Sequence, residues 1–445
     1  NRVAKDLVLD VDLQTAGIQA GDAIALLANG VFADRHVGTD KTVNIDLMLH
    51  GADARNYRLA QASLSSDIGT ITQRESVRWI GPVDGLWSEN TNWEDGALPD
   101  RNNVAQAVIP QASEVILNSD LTGPVESAIV NDGTLYVQSA GPLNLSNVLS
   151  GQGTVDLNRA EQVTLSGANT LTGAIDMDTS SLTLANARAL GAGNLIARGG
   201  KLASGANVTL SNISVQGTVE LASSMRTTGE QVYDGPLLLA QSGPQTFLLR
   251  SEAGDIALLG NLDAGANAKN AKRSVDIQAP TGSIRVNGRI GLEVSDMTAQ
   301  QYQMQTGTNP WALSMTANDI YLSADVTTFE TQTYQGDVWI AADSTGAPAI
   351  TLTSMDPSVM FMGRVNDTES GKHTLNVRAI TTRTDRSELP QVVFNDLVGD
   401  VNPLGALNVF VGMQNPINPQ APIGELSPDL TQAIGNIAIA DSVTT

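Results

Sequence analysis

The sequence predicts an all-β protein in which a right-handed parallel β-helix, a solenoid of stacked coils, follows a small β-sandwich-like module. Short segments alternate apolar and polar residues, as in Gly133–Val137 and Gly282–Val286, and this period of two is typical of strands. Gly, Asn, Asp and Ser interrupt the segments at short intervals, which indicates many turns. A glycine-based repeat then favours the solenoid among the all-β folds.

The repeat recurs every 20 residues in the first half of the chain. A glycine, a small or polar residue and a branched aliphatic residue begin at Gly133, Gly153, Gly173 and Gly193, and a further match at Gly217 follows after 24 residues. This length suits one coil of a parallel β-helix, with glycine at the corners and Leu, Val and Ile stacked inside. A glycine-rich chain also produces such spacings by chance, but four equally spaced matches favour the solenoid.

A second, longer repeat lies further along the chain. The pattern Gln-x-Tyr-x-Gly occurs at 231–235 and again at 332–336, so the two tyrosines, Tyr233 and Tyr334, are 334 − 233 = 101 residues apart. A tyrosine at a repeated position usually packs against a strand or a turn. We therefore expect both side chains to be structural.

These textures divide the chain into five predicted segments. Residues 1–77 form the β-sandwich-like module, and 78–112 form a tryptophan-rich cap. Residues 113–225 form the part of the β-helix with coils of about 20 residues, and 226–412 form the part with the two longer repeats. Five prolines thin out the strand pattern near the end, so residues 413–445 are predicted to be a cap or a linker.

The charge balance narrows the classes of partner. The chain has 47 acidic and 25 basic side chains, a net charge of −22, without a basic cluster. Such a chain repels nucleic acid, and no apolar run reaches the roughly 18 residues of a membrane helix. We expect no nucleic-acid binding and no direct membrane insertion; the charge is expected to keep a long protein soluble.

Catalysis and resident metals are not expected either. The chain has no cysteine and three scattered histidines, which argues against thiol chemistry, a histidine triad or a histidine metal centre. Asp176 and Asp178 share a strand face, but a single pair of carboxylates is more often a solvated surface than a catalytic pair. We predict no enzyme and no cofactor. The acidic surplus leaves Ca²⁺ as a loop stiffener, although neither EF-hand nor nonapeptide spacing is present.

Three of the five tryptophans, Trp79, Trp87 and Trp93, lie within 15 residues. Flat aromatic rings are candidates for stacking on sugars. Tryptophans that begin a solenoid are also expected to cover its apolar end and to block edge-to-edge strand pairing. The sequence favours the capping role and keeps sugar stacking as the alternative.

Several motifs resemble those of large bacterial filamentous-haemagglutinin-like adhesins. The first segment resembles their YDG/MBG-type module at Gly21-Asp22, Phe32-Ala33-Asp34, Val37-Gly38-Thr39 and Gly51-Ala52-Asp53-Ala54-Arg55-Asn56-Tyr57. It departs at Arg35-His36 and Arg55, and the opening Tyr-Asp-Gly strand is expected upstream of Asn1. The cap segment resembles a passenger-domain motif at Gly85-Leu86-Trp87-Ser88, Asn92-Trp93, Leu98-Pro99 and Val108-Ile109-Pro110, and the repeats at Tyr233 and Tyr334 resemble filamentous-haemagglutinin repeats.

The resemblance implies a secreted protein of the bacterial cell surface or extracellular matrix. It implies export through an outer-membrane two-partner transporter, and a structural role in cell–cell or cell–matrix attachment and biofilm cohesion. The implied ligand is an exopolysaccharide or a host or bacterial surface glycan. The alternative is a carbohydrate-binding or polysaccharide-degrading β-helix, which glycan binding or released reducing ends would reveal.

Overall fold

The prediction of an all-β protein is confirmed. The computed structural model describes residues 17–100, 103–118, 127–178, 180–265, 271–292, 309–342, 346, 348–356, 358–381, 390–413 and 436–439. Within these ranges the chain forms 32 β-strands and three single-turn 3₁₀ helices. Among the described residues, no helix is long and apolar enough to cross a membrane.

The chain divides into two compact units, residues 1–135 and 136–445. The first contains β1 (Ala25–Phe32), β2 (Gly38–His50), β3 (Ser63–Ile71), β4 (Arg74–Arg78), β5 (Gly85–Leu86), β6 (Val104–Ile109), β7 (Glu114–Asn118) and β8 (Ala128–Asn131). Its three 3₁₀ helices are Ala54–Asn56, Asn90–Asn92 and Glu94–Gly96. Strand β9 (Thr134–Leu145) runs across the boundary.

The second unit contains the remaining strands. They are β10 (Leu149–Ser150), β11 (Thr154–Leu165), β12 (Ile175–Met177), β13 (Ser181–Leu184), β14 (Leu195–Ser204), β15 (Ile213–Leu221), β16 (Met225–Thr227), β17 (Gln231–Asp234), β18 (Leu237–Leu239), β19 (Thr246–Ser251), β20 (Ile256–Leu258), β21 (Leu262–Asp263), β22 (Ser274–Val286), β23 (Leu313–Leu322), β24 (Val326–Thr328), β25 (Gln332–Ile340), β26 (Ala349–Ser354), β27 (Ser358–Phe361), β28 (Val365–Asp367), β29 (Thr374–Thr381), β30 (Gln391–Phe394), β31 (Ala406–Met413) and β32 (Asn436–Ile439).

The first unit begins with an antiparallel sheet. Strand β2 pairs with β1 on one side and β3 on the other. Val43 and Ile45 of β2 are buried, whereas Asn44 and Asp46 between them are exposed, as expected when one face of a sheet is covered. The described part of the predicted β-sandwich-like module is therefore one three-stranded sheet; residues 1–16 lie outside the described part of the chain.

Parallel pairing starts directly after this sheet. Strand β4 pairs in parallel with β6, and β6 with β8, so that Val77, Ala107 and Ile129 occupy one row. All three side chains are buried. A parallel ladder with buried aliphatic residues therefore begins at β4, inside the segments predicted to be the module and its tryptophan-rich cap.

In the second unit, strands pair in parallel with the strand one repeat later and form three columns of buried side chains. The first column is Val155, Ile175, Leu195, Val215, Tyr233, Leu258, Val286, Leu322 and Ile340. The second column is Val219, Leu237, Leu262, Ile290, Val326, Leu352, Val377 and Val409. The third column is Met225, Leu249, Ile277, Met315, Tyr334, Phe361 and Phe394.

The predicted 20-residue register is present in the first column. Val155, Ile175 and Leu195 are direct partners in adjacent strands, and glycines mark the corner before each strand. A Cβ at Gly173 would collide with the carbonyl oxygen of Gly153, and one at Gly193 with that of Gly173. Only glycine allows the backbones to approach so closely at this corner.

The register does not continue to the fifth sequence match. The 24-residue step to Gly217 aligned Leu195 with Val219, but Leu195 pairs with Val215, which keeps the interval at 20. Gly217 instead pairs with Ala197, at the middle of strand β15 and with a positive φ of 86°. This glycine therefore belongs to a bend inside a long strand, and its sequence resemblance to the corner glycines is local.

The 101-residue repeat keeps its local geometry but changes column. Tyr233 pairs with Val215 and Leu258 in the first column. Tyr334 pairs with Met315 and Phe361 in the third. The two repeats are therefore offset by one column, so 101 residues do not correspond to a whole number of layers.

Candidate functional site

A cleft of about 580 Å³ lies in the first unit. It is bounded by the segment after β1, the end of β3, the start of β4, the last 3₁₀ helix and the start of β6. The lining residues are Arg35, Ile71, Thr72, Arg74, Asp95, Gly96, Ala97, Leu98, Asn103 and Val104. The antiparallel sheet and the tryptophan-rich segment thus contribute to one concave surface.

Two arginines of the cleft are held by carboxylates. The Arg35 guanidinium donates to Asp100, whose side chain is only 3% exposed. Nη1 of Arg74 lies 3.0 Å from Oδ2 of Asp95, and its Nη2 lies 3.5 Å from Oε2 of Glu94. Both planar groups are therefore fixed in orientation and their charges are balanced locally.

Asn103 connects these groups to the backbone. Its Nδ2 donates to Oδ1 of Asp100 at 2.5 Å, and its Oδ1 accepts a hydrogen bond from the backbone N–H of Val37 at 3.0 Å. The loop after β1 is thereby tied to the start of β6. Because these side chains are fixed before any ligand enters, the cleft is preorganised.

The floor of the cleft is apolar, and its rim is polar. Leu98 and Val104 are buried, Ile71 is half-buried, and Asp95 at the rim has a side chain that is 75% exposed. A concave apolar surface with a few fixed polar groups is the usual form of a small-molecule binding site. Chemically, this arrangement is suited to binding a small polar ring.

The three candidate tryptophans are core residues. Trp79, Trp87 and Trp93 are 2%, 0% and 0% exposed, and the Trp93 ring packs edge-to-face on both others at centroid distances of 5.1 and 4.6 Å. Nε1 of Trp87 donates to the carbonyl oxygen of Pro99 at 3.0 Å, and Nε1 of Trp93 to that of Trp87 at 2.9 Å. In this fold no ring face is left for a sugar, which corrects the stacking alternative. The cluster instead stabilises the segment that carries Leu98 into the cleft.

Tyr233 is also buried, in a polar network below the backbone. Its Oη donates to Oε1 of Gln231 at 3.1 Å, and Nε2 of Gln231 donates to the carbonyl oxygen of Arg250 at 2.8 Å. Burial raises the pKa of the Tyr233 phenol. The tyrosine therefore stays neutral and serves as a donor to the glutamine.

Tyr334 repeats this network. Its Oη donates to Oε1 of Gln332 at 2.9 Å, and Nε2 of Gln332 donates to the carbonyl oxygen of Thr353 at 2.8 Å. Burial raises the pKa of this phenol as well. The repeated tyrosines thus lie inside the fold, as the sequence predicts for structural residues.

A surface aromatic row was not singled out by the sequence. Arg285, Tyr321 and Trp339 are direct partners in adjacent strands and point outward. The Arg285 guanidinium lies 4.5 Å from the centroid of the Tyr321 ring, and the Trp339 ring stacks on the other side at 6.4 Å. Because both faces of Tyr321 are covered, the row offers ring edges and not a stacking platform. The alternation in strands 319–322 and 337–340 was the available signal.

No arrangement in the described ranges gathers three or more His, Cys, Asp or Glu side chains in a geometry that could hold a metal ion. The expectation of no resident metal therefore stays a prediction, as does the weaker expectation of Ca²⁺. The only close histidine–carboxylate pair described, His373 with Asp367, is buried and caps a turn. Oδ2 of Asp367 accepts the backbone N–H groups of Lys372 and His373 at 3.0 and 2.8 Å, which gives the pair a structural role.

Fold and cleft define an all-β protein with an antiparallel module, long parallel columns and one preorganised small-molecule cleft among its described residues. Residues 5–64 match the family model of the YDG domain. This match overlaps the predicted first module and is compatible with an adhesin-like module. No curated protein and no solved structure gave a significant match.

Proposed function

We propose that this chain is a structural and adhesive segment of a secreted bacterial adhesin of the filamentous-haemagglutinin-like type. In this proposal the second unit is a right-handed parallel β-helix, and the chain joins cells to each other or to a matrix. The observation that carries the proposal is the set of three columns of parallel strand pairing through the second unit. The YDG match in the first unit gives independent support.

Parallel columns suit a load-bearing role. Each strand pairs with its neighbours in the layers before and after it, as with Tyr334 between Met315 and Phe361. Layers at about 4.8 Å spacing extend a stack while the same contacts repeat. A force along such a stack is distributed over many backbone hydrogen bonds. The buried aliphatic columns add a continuous apolar core.

The biological setting is part of the proposal. Export through an outer-membrane two-partner transporter, residence at the cell surface or in the matrix, and binding of an exopolysaccharide or a surface glycan would all follow from membership of this class. The net charge of −22 favours a hydrated, unassociated protein outside the cell. We further propose that the chain has no catalytic activity and no resident cofactor.

The full chain coupled to fluorescent beads tests the adhesive role. Beads carry many copies, so weak single contacts add up to measurable retention. We expect severalfold more beads retained on an exopolysaccharide-producing biofilm than on one from a strain without exopolysaccharide. Beads with heat-unfolded chain are the control for charge and composition. Equal retention of folded and unfolded chain on both surfaces would contradict the proposal.

A carbohydrate-binding or polysaccharide-degrading protein is the second candidate, and the cleft favours its binding half. Arg35, Arg74 and Asp95 are groups that bind hydroxyls. Degradation is checked by incubating the full chain with acidic and neutral polysaccharides and measuring reducing ends. Release above that of the heat-unfolded chain would contradict the non-catalytic part of the proposal.

A further inference from the structure

We propose that the cleft between Ile71 and Val104 binds a neutral pyranose unit of a polysaccharide. This inference rests on the proposed adhesive function only for the source of the sugar; the site itself is argued from the cleft. It assigns the ligand to the first unit and not to the outer faces of the parallel columns.

The size and floor of the cleft fit one sugar ring with its neighbours left in solvent. About 580 Å³ lies within the range of small-molecule sites, roughly 300–1,000 Å³. Ile71, Leu98 and Val104 form an apolar surface against which the C–H groups of a pyranose can pack. The exposed Thr72 and Asp95 stand at the mouth, where a polysaccharide chain would leave.

The polar groups suit vicinal hydroxyls. Arg74 uses Nε, Nη1 and Nη2 to hold Ser76, Asp95 and Glu94, so it fixes the Asp95 carboxylate in place. A carboxylate has about four acceptor positions, and this contact with Arg74 occupies one. Asp95 can therefore accept hydrogen bonds from sugar hydroxyls. Arg35 donates one N–H to Asp100 and has further donors.

The local charge argues for a neutral sugar. Two cations, Arg35 and Arg74, face three anions, Glu94, Asp95 and Asp100, a balance of −1. Both guanidinium groups already bind carboxylates, so a uronate would have to displace a partner. A neutral ring needs only hydroxyl contacts, and a site built to bind hydroxyls discriminates strongly against ligands that lack them.

The test is a glycan array with labelled full chain and three variants. Thr72→Trp fills the mouth of the cleft, and Asp95→Asn removes a carboxylate acceptor while keeping its shape. Ser63→Trp adds the same bulk at an exposed position of the same strand, β3, away from the cleft. Circular dichroism and the thermal midpoint establish that each variant is folded.

We expect the wild type and Ser63→Trp to bind the same neutral glycans, with Thr72→Trp reduced at least tenfold (about the loss expected from a blocked site) and Asp95→Asn reduced severalfold. Binding of acidic glycans only, no binding by the wild type, or equal binding by Thr72→Trp and Ser63→Trp would overturn the inference. If Thr72→Trp does not fold, unchanged binding by Asp95→Asn overturns it.

The bead assay separates this inference from the proposed function. Beads that adhere equally with wild type and Thr72→Trp would overturn the cleft as the adhesive contact and leave the adhesive function standing. Glycan binding that depends on Thr72 and Asp95, without bead retention on any biofilm, would contradict the adhesive function and support the cleft.

Discussion

The two Gln–Tyr networks have the same hydrogen bonds in different surroundings. Tyr233 lies in the first column between Val215 and Leu258. Tyr334 lies in the third column and stacks on Phe361 at 5.2 Å with an interplanar angle of 14°. A short sequence motif therefore builds a local hydrogen-bond network independently of the column in which it lies. The neighbours, and hence the packing energy, depend on the column.

Truncation of the tyrosines gives the largest expected difference. Tyr233→Ala and Tyr334→Ala should each lower the free energy of unfolding by about 3–5 kcal/mol, because both leave a cavity. Tyr334→Ala should have the larger effect, by about 1 kcal/mol, since it also loses the ring contact with Phe361. Urea unfolding followed by circular dichroism measures both values.

Tyr321→Ala is the matched control for the truncations, because Tyr321 is an outward-facing tyrosine of the same unit. It should change the free energy of unfolding by less than about 1 kcal/mol. A Tyr233→Ala effect equal to or larger than that of Tyr334→Ala would contradict the importance of the aromatic stack.

High pH should destabilise both networks together. Burial raises the pKa of Tyr233 and Tyr334 well above the ordinary value of about 10. Above that value the unfolded chain releases the two protons and the folded chain keeps them, so the free energy of unfolding falls as pH rises. Each tyrosine contributes about 1.4 kcal/mol per pH unit, fully present below pH 10 and lost above it.

Urea midpoints between about pH 9 and pH 12 measure this slope, taken as the difference between wild type and the Tyr233→Phe/Tyr334→Phe double variant. Each single Phe variant should remove half of the difference. A slope unchanged in the double variant would show that other groups cause the alkaline loss of stability.

Removal of the glutamines gives a smaller effect that should be equal in the two networks. Gln231→Leu leaves the Tyr233 hydroxyl and the Arg250 carbonyl without their partner, and Gln332→Leu does the same for Tyr334 and Thr353. Each should lower the free energy of unfolding by about 2 kcal/mol. Chemical denaturation measures both, and values that differ by more than about 1 kcal/mol would contradict the equivalence of the networks.

The cleft could not be predicted from the sequence. Arg35 and Val104, which both line it, are 104 − 35 = 69 residues apart, and the arginines and carboxylates between them have no distinctive spacing. The tryptophans of the same segment were predicted as a cap or as sugar platforms. Their burial decides for a core role, because a ring with no exposed face cannot stack on a ligand.

The sequence by itself determined the all-β class, the 20-residue interval from Val155 to Leu195 and the burial of both repeated tyrosines. These depend on local rules: alternation of apolar residues, glycine where backbones touch, and a motif short enough to form its own hydrogen bonds. Only the tertiary structure decided that Leu195 pairs with Val215, that Tyr334 lies one column away from Tyr233, and that a cleft exists. Column and cleft depend on the lengths of the intervening turns, which set strand register without any local sequence signature.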